Sequence, residues 1–278
     1  MQAAVRLQVC CSPAISAVYA TESRWRKVFA SSVGIQPGSP KRACLPAHSI
    51  ATWNCISSRA ASCIRRMCTI GVVEGIVSID EYDVEIRGFA NHAGTTPMKE
   101  RHNALLAAAK LIEAVQEVVT REPGRQVGTV GRLQVFPNAP NVVLGLVKHS
   151  IELRDLSAET VARLGNEIQK RAQEIARDTG TEIIMERVEH AAPAVADLEM
   201  QAKIEVAATE LGLKTMRLPS GAGHDAQMMA KIGPIGMIFV PSVDGISHSP
   251  KEFTRWQDCA NGANVLLRTI LLIDRATP

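Results

Sequence analysis

The chain has 278 residues, 46% of them hydrophobic, and a formal net charge of +3. That length is enough to bury a sizeable core in one or two domains, and no stretch approaches the roughly 20 apolar residues of a membrane span. The charge is uneven: residues 1–70 carry nine Lys/Arg against the single acid Glu22, a net of +8, which leaves the remainder at −5 and excludes a basic nucleic-acid-binding body.

Residues 1–70 are rich in Arg and Ser, nearly free of acids, and without a sustained period of 3.6 or 2. This composition resembles an organelle transit peptide. Three readings stand: a targeting or disordered leader, a stretch foreign to the ancestral protein, or a basic binding arm. Cys10, Cys11, Cys44, Cys55, Cys63 and Cys68 lie here and only Cys259 lies beyond. No spacing among the six resembles a zinc knuckle, and a disulfide framework is not expected in so irregular a leader. One cysteine in the rest of the chain fits a reducing compartment. The expected location is cytoplasmic, or an organelle if the leader is a transit peptide.

Order begins near Ile70. Tyr82, Val84 and Ile86 alternate with Asp83, Glu85 and Arg87, the pattern of a half-buried strand. Residues 102–121 read as a helix, with Ala104, Leu105, Ala108, Leu111, Ile112, Val115 and Val119 on one stripe. Pro123-Gly124 ends it. A strand over 126–136, the turn Pro137-Asn138-Ala139-Pro140 and a strand over 142–154 follow. Ser157 caps a helix that runs to about Asp178, with Val161, Leu164, Ile168, Ala172 and Ile175 facing the core. Gly180 closes that helix, and Thr181 to Val188 is a further strand. Strand–helix–strand–strand–helix–strand is the split βαβ, or ferredoxin-like, order. It occupies residues 78–190 and makes a small α+β domain.

After Pro193 the pattern changes. A helix covers about 197–211 and stops at Gly212, His224 to Lys231 is a short helix, Ile235 to Val240 is an apolar strand, and Asp258 to about Ile273 is an amphipathic helix. One short buried strand needs sheet neighbours on both sides. Residues 191–278 therefore read as the C-terminal part of a larger α/β domain.

Three histidines sit among small, turn-forming residues: His92 within 88–98, His224 within 220–226, and His248 within 245–252. Such residues let a side chain project from a loop. Histidine is the usual metal ligand and proton carrier near neutral pH, so the three point to a metal-dependent hydrolytic site. Each also has a plainer reading. His248 follows the apolar strand, where ligands gather in α/β sheets. It is either a zinc or manganese ligand or a loop histidine bonded to backbone. His224 precedes Asp225, which can fix its tautomer. The run ending at Gly223 either offers N–H groups to a substrate oxygen or turns a strand into a helix. His92 lies in a loop at a helix entry, and the pattern leaves surface and functional roles equal. Arg154 can clamp a carboxylate through two parallel bonds, but the residues alone favour a structural salt bridge to Asp155 or Glu152. Asn138 and Asn141 flank Pro140, where local backbone bonding is the ordinary role. Cys259 reads as structural.

Together, Gly88 to Met98, Thr129-Val130-Gly131 with Pro140-Asn141-Val142-Val143, Ser220 to Ala226, and Gly245 to Glu252 resemble, in order and spacing, one family. It is the hydantoinase/carbamoylase branch of the dinuclear-zinc amidohydrolases and exopeptidases, which includes N-carbamoyl-L-amino-acid hydrolase, bacterial-type β-ureidopropionase and allantoate amidohydrolase. The resemblance covers about residues 70–275. It implies a zinc-exopeptidase-like α/β catalytic domain interrupted by a ferredoxin-like lid and dimerisation domain. It implies two divalent ions (zinc, or manganese or cobalt) with His248 as a ligand, and a homodimer. His92 then matches the lid histidine that reaches into the partner subunit's site and polarises the substrate carbonyl. Asn141 and Arg154 match substrate-binding positions, with Arg154 on the carboxylate, and Gly223 and His224 match the substrate-side loop. The implied chemistry is hydrolysis of the linear amide of an N-carbamoyl amino acid or ureido acid, by metal-activated water and a carboxylate base.

Two departures stand out. Leu144 replaces the family's usual Pro. Residues 1–70 lack the motifs of the family's N-terminal catalytic segment, their only histidine being His48 and their only acid Glu22. With His248 alone a two-metal site cannot form. The expectation is an amidohydrolase of carbamoyl or ureido acids whose catalytic domain is present only in its C-terminal part, incomplete as this chain. The alternative is a non-catalytic homodimerising or binding remnant of that family. A dipeptidase or aminoacylase is a third reading, against which Gly221-Ala222-Gly223-His224-Asp225 argues. No nucleic-acid or membrane partner is expected.

Overall fold

A computed structural model describes residues 68–246 and 249–275. The basic leader, apart from its last residues, lies outside them. One compact unit is Val77–Ala194, and the other combines the segment up to Ile76 with Val195–Pro278. The outer unit opens with β1 (Ile70–Ile76). The inner unit holds β2 (Ser78–Arg87), β3 (Asn91–His92), α1 (Ala104–Thr120), β4 (Val127–Thr129), β5 (Leu133–Phe136), β6 (Val142–Val143), β7 (Leu146–Asp155), α2 (Ala158–Thr179) and β8 (Glu182–Ala191). After β9 (Ala194–Val195), the outer unit continues with α3 (Leu198–Glu210), β10 (Thr215–Ser220), α4 (Ala226–Met229), β11 (Ile238–Phe239) and α5 (Trp256–Arg275).

The inner sheet runs β4–β7–β2–β8, with β5 also on β7, and every pairing is antiparallel. This is the strand order of a split βαβ unit. Its core is made by Val84 and Ile86 of β2, Val147, Ile151 and Leu153 of β7, and the inward stripes of both helices. The stripe of α2 is the one its periodicity predicts. Ser157 Oγ accepts from the Thr160 N–H, and Gly180 ends the helix at φ 63°, a left-handed conformation that glycine adopts without strain.

Helix α1 differs from its sequence reading. Leu105 faces solvent and Ile112 is half-buried, while Ala107, Ala114 and Val118 are buried. The buried stripe thus includes three small alanines besides Ala108, and Asn103 caps the helix, accepting from the N–H groups of Leu105 and Leu106. The single strand expected over 126–136 is two pieces. Thr129 pairs with Glu152 but Leu133 with His149, so the intervening residues carry one extra position, a β-bulge.

The outer sheet is ordered β10–β1–β11, with β1 parallel to β10 and antiparallel to β11. Ile70 and Val72 pack with Ile204, Ala207, Ala208, Ile238, Val240 and Val265. The strand expected over 235–240 is ladder-paired only at Ile238–Phe239, and among the described residues its ladder partner is β1, which lies between it and β10. Strand β1 is an almost continuous apolar run, whose period does not distinguish strand from helix. In β10, Pro219 breaks the usual strand signature. Helix α5 buries Val265 and Thr269 but leaves Leu267, Ile270 and Leu271 exposed. Cys68, at the end of the leader in which no disulfide framework is expected, is disulfide-bonded. Cys259 is a free, half-buried thiol.

His149 is a polar residue on the core face of β7, between Val147 and Ile151. It is 3% exposed and neither ring nitrogen has a hydrogen-bond partner. Burial pushes its pKa below the ordinary 6.5, and the Ser150 backbone opposes this only in part. Above pH 6.5 the imidazole is neutral whether folded or unfolded, and the residue is silent. Below it the unfolded chain binds a proton that the folded chain refuses, so stability falls and then levels off beneath the folded pKa. His149→Leu is expected to add about 1–2 kcal/mol at neutral pH, since it removes two unsatisfied buried nitrogens. It is also expected to flatten the acid limb of the stability curve. Urea unfolding of both proteins between pH 5 and pH 8 checks this, guided by the reference histidine pKa.

Candidate functional site

His92 stands on a short ladder in which β3 pairs with β6, Asn91 opposite Val143 and His92 opposite Val142. The ladder is anchored where β2 gives way to the loop: the Gly88 N–H donates to Gly145 O at 2.8 Å, and the Phe89 N–H to His102 O at 2.9 Å. Asn91 Oδ1 accepts from the His92 N–H, and Thr96 bonds His92 O through both its N–H and its hydroxyl. The His92 ring is exposed. Its Nδ1 accepts from the Gly94 N–H at 3.0 Å. An accepting Nδ1 places the proton of the neutral ring on Nε2, and Nε2 has no partner among the described residues. With Nδ1 accepting, Nε2 is the ring position left to donate, the polarity that suits a carbonyl oxygen.

Asn141 belongs to the same end of the unit. Its carbonyl accepts from the Ala93 N–H at 2.8 Å and its side chain is exposed. It follows a turn with a cis Phe136-Pro137 bond and Asn138 at φ 60°. The fold thus brings His92 and Asn141 together, though they are far apart in sequence.

Arg154 lies at the opposite end of β7. Leu146 pairs with Arg87 beside the His92 ladder, whereas Arg154 pairs with Ile79. At the antiparallel rise the two ends of the strand are on the order of 27 Å apart. Arg154 donates from Nε and Nη2 to the two carboxylate oxygens of Glu152, at 2.8 and 2.9 Å. This is the salt bridge that the sequence alone favours, and also the geometry of carboxylate recognition. On the core face of β2, the nearly buried Asp80 accepts from Arg187 and Tyr82 and bonds His190 Nδ1 at 2.6 Å. Burial and the Asp80 charge raise the Tyr82 pKa. This cluster is a satisfied buried carboxylate that sequence patterning does not reveal.

In the outer unit His224 is 9% exposed and shares a 2.6 Å hydrogen bond between Nε2 and the fully buried Ser220 Oγ. Burial lowers its pKa, and the charge of Asp225 partly opposes this. The ring is held inside the unit rather than presented. The N–H groups expected to cradle a substrate oxygen are partly engaged, Ala222 to Ser220 Oγ and His224 to Gln227 Oε1. Gly223 is exposed between them. His248 lies outside the described residues. Among the described residues no three His, Cys, Asp or Glu side chains converge to hold a metal, so they do not fit a two-metal site.

A family model described as peptidase family M20/M25/M40 matches residues 63–272. The chain belongs to that family. The M20 family is generally one of dinuclear metal enzymes, and the mixed α/β fold matches its amidohydrolase structures. An N-carbamoyl-L-amino acid amidohydrolase of Geobacillus stearothermophilus is 41% identical over 201 residues, 72% of this chain and 49% of that protein. A ureidoglycolate hydrolase of Arabidopsis thaliana is 37% identical over 203 residues, 72% of this chain and 43% of that protein. Among solved structures, an amidase of the hydantoinase/carbamoylase family from Burkholderia multivorans superposes with a TM-score of 0.75 at 32% identity, covering 80% of this chain and 54% of that one. The chain spans about half the length of the relatives it matches. Among the described residues no helix is long and apolar enough to cross a membrane.

Proposed function

We propose that this M20 chain forms part of an amidohydrolase that cleaves the linear C–N amide of an N-carbamoyl amino acid or related ureido acid. The observation that carries the reading is the His92 ring, exposed and held by Gly94 with its proton on Nε2. Nε2–H donates to the ureido carbonyl oxygen and stabilises the charge that develops there. The exposed Asn141 side chain supplies a second polar contact. Arg154 takes the substrate carboxylate in place of Glu152. One small substrate cannot touch both ends of β7 in one copy, so the site draws His92 and Asn141 from one subunit and Arg154 from the other. The inner unit is accordingly the lid and dimerisation domain. Two divalent ions (zinc, manganese or cobalt) accompany this reading, and the described residues do not supply their ligands. No step is derived through them.

The test is direct. The full chain, supplied with zinc or manganese, is titrated with an N-carbamoyl-L-amino acid, 3-ureidopropionate and allantoate, while ammonia release and the side-chain resonances of His92 and Arg154 are followed. Perturbation of both residues by a ureido acid, but not by an alkylurea lacking the carboxylate, is expected. If neither residue responds to any of the three, the reading is wrong. Binding without ammonia release from any of them would leave the non-catalytic binding role instead.

A further inference from the structure

Arg101 has no part in the reading above, yet its guanidinium faces the loop that carries His92. It donates from Nε to Thr96 O at 3.1 Å and from Nη2 to Ala93 O at 2.5 Å. Among the described residues it has no acidic partner, so a half-buried cation is committed to two backbone carbonyls. One of them is decisive. The Ala93 carbonyl and the Gly94 N–H belong to a single planar peptide group, in which C=O and N–H point in opposite directions. The Gly94 N–H is the donor that holds His92 Nδ1. The chain of groups is therefore continuous: Arg101 Nη2–H to Ala93 O, across the peptide to Gly94 N–H, and on to His92 Nδ1.

We propose that Arg101 is the positioning residue for His92, acting through the Ala93–Gly94 peptide to hold the imidazole in the Nε2–H tautomer. Two effects combine. The fork to Ala93 O and Thr96 O fixes the plane of the peptide, and with it the direction of the Gly94 N–H. The cation also polarises the peptide, making its N–H a stronger donor, as hydrogen bonds in series do. Close approach of the peptide is part of the device. A Cβ at Gly94 would lie 3.2 Å from His92 Cε1, tighter than ordinary packing. A lysine at position 101 would offer one compact ammonium rather than a fork, and would hold the two carbonyls less well.

The inference rests on the role given to His92 but is tested without turnover. The full chain is labelled with nitrogen-15 in its histidine side chains and its glycine amides, and His92 is assigned by its loss in His92→Gln. In the wild type, Nε2 should resonate as protonated and Nδ1 as an acceptor. In Arg101→Met the two frequencies should move toward each other as the other tautomer gains population, and the Gly94 amide should shift upfield and exchange faster. Ethylguanidinium added to Arg101→Ala should restore part of the wild-type pattern. Arg101→Lys should fall between wild type and Arg101→Met, and it decides the matter if Arg101→Met does not fold. Unchanged His92 frequencies in a folded Arg101 variant overturn the proposal. Failure of ureido acids to perturb His92 Nε2 in the wild type is a separate result, which removes the functional reading but not this one.

Discussion

On the proposed two-subunit amidohydrolase site, mixing two crippled variants, His92→Gln and Arg154→Met, is expected to restore hydrolysis to about a quarter of the wild-type rate in a symmetric dimer. Each variant alone should lose about 10²- to 10³-fold in kcat/KM, the usual cost of removing one preorganised donor or substrate clamp. The reason is geometric. His92 sits on the ladder beside the Leu146 end of β7, and Arg154 sits at the other end, opposite Ile79. If each site takes its Arg154 from one subunit and its His92 from the other, a hybrid dimer has one site with both residues intact and one with neither. Random exchange makes about half the dimers hybrids, each with one working site. Activity in the mixture no greater than in either variant alone would mean that one subunit supplies both residues, and the two-subunit site would be abandoned.

Gly88→Ala is expected to destabilise the inner unit by about 3 kcal/mol, at the upper end for inserting a methyl group into packed structure. A Cβ at Gly88 would lie 2.0 Å from His102 O, a backbone atom that cannot swing aside. The surrounding backbone is pinned as well. The Gly88 N–H bonds Gly145 O, the Phe89 N–H bonds His102 O, and the Ala104 N–H bonds Leu144 O, all at 3.0 Å or less. Relief requires breaking one of these bonds or displacing the Asn103 cap of α1. Gly131→Ala is the control. Its Cβ would have only Ser150 Oγ within reach, at 3.8 Å, and should change stability by less than about 0.5 kcal/mol. Because the chain has two units, native-state hydrogen exchange on α1 and β7 is the appropriate readout. Equal protection in the two variants would show that the loop yields where these contacts indicate that it cannot. The loop carries His92, so Gly88→Ala should also weaken the Gly94-to-His92 hydrogen bond.

Several elements are legible in the sequence because their signals are local. The stripe of α2, its Ser157 cap and its Gly180 terminus all lie within the helix or next to it, and backbone geometry enforces them wherever the helix packs. Helix α1 is legible in extent but not in facing, because its alanine-rich surface leaves more than one apolar stripe to choose from. Strand β1 escapes periodicity because a strand buried on both faces does not alternate, and β10 because Pro219 interrupts its strand signature. The candidate site divides in the same way. The loop histidine and the turn asparagine are visible as motifs, while the settings of Asp80 and His149 are not, since each depends on residues brought near by folding.

The sequence by itself determined the helices α1, α2, α3 and α5, the long strands of the inner unit, the family to which the chain belongs, and the residues that could carry its chemistry. These follow from spacing, capping and turn residues, all set within a few positions along the chain. Only the tertiary structure decided that His92 and Asn141 share one end of the inner unit and Arg154 occupies the other. It also decided that His92 is exposed with Nδ1 accepting from the Gly94 N–H while His149 and His224 are buried. Strand register and desolvation are the physical reasons: both are set by partners dozens of residues away, to which a local period is blind.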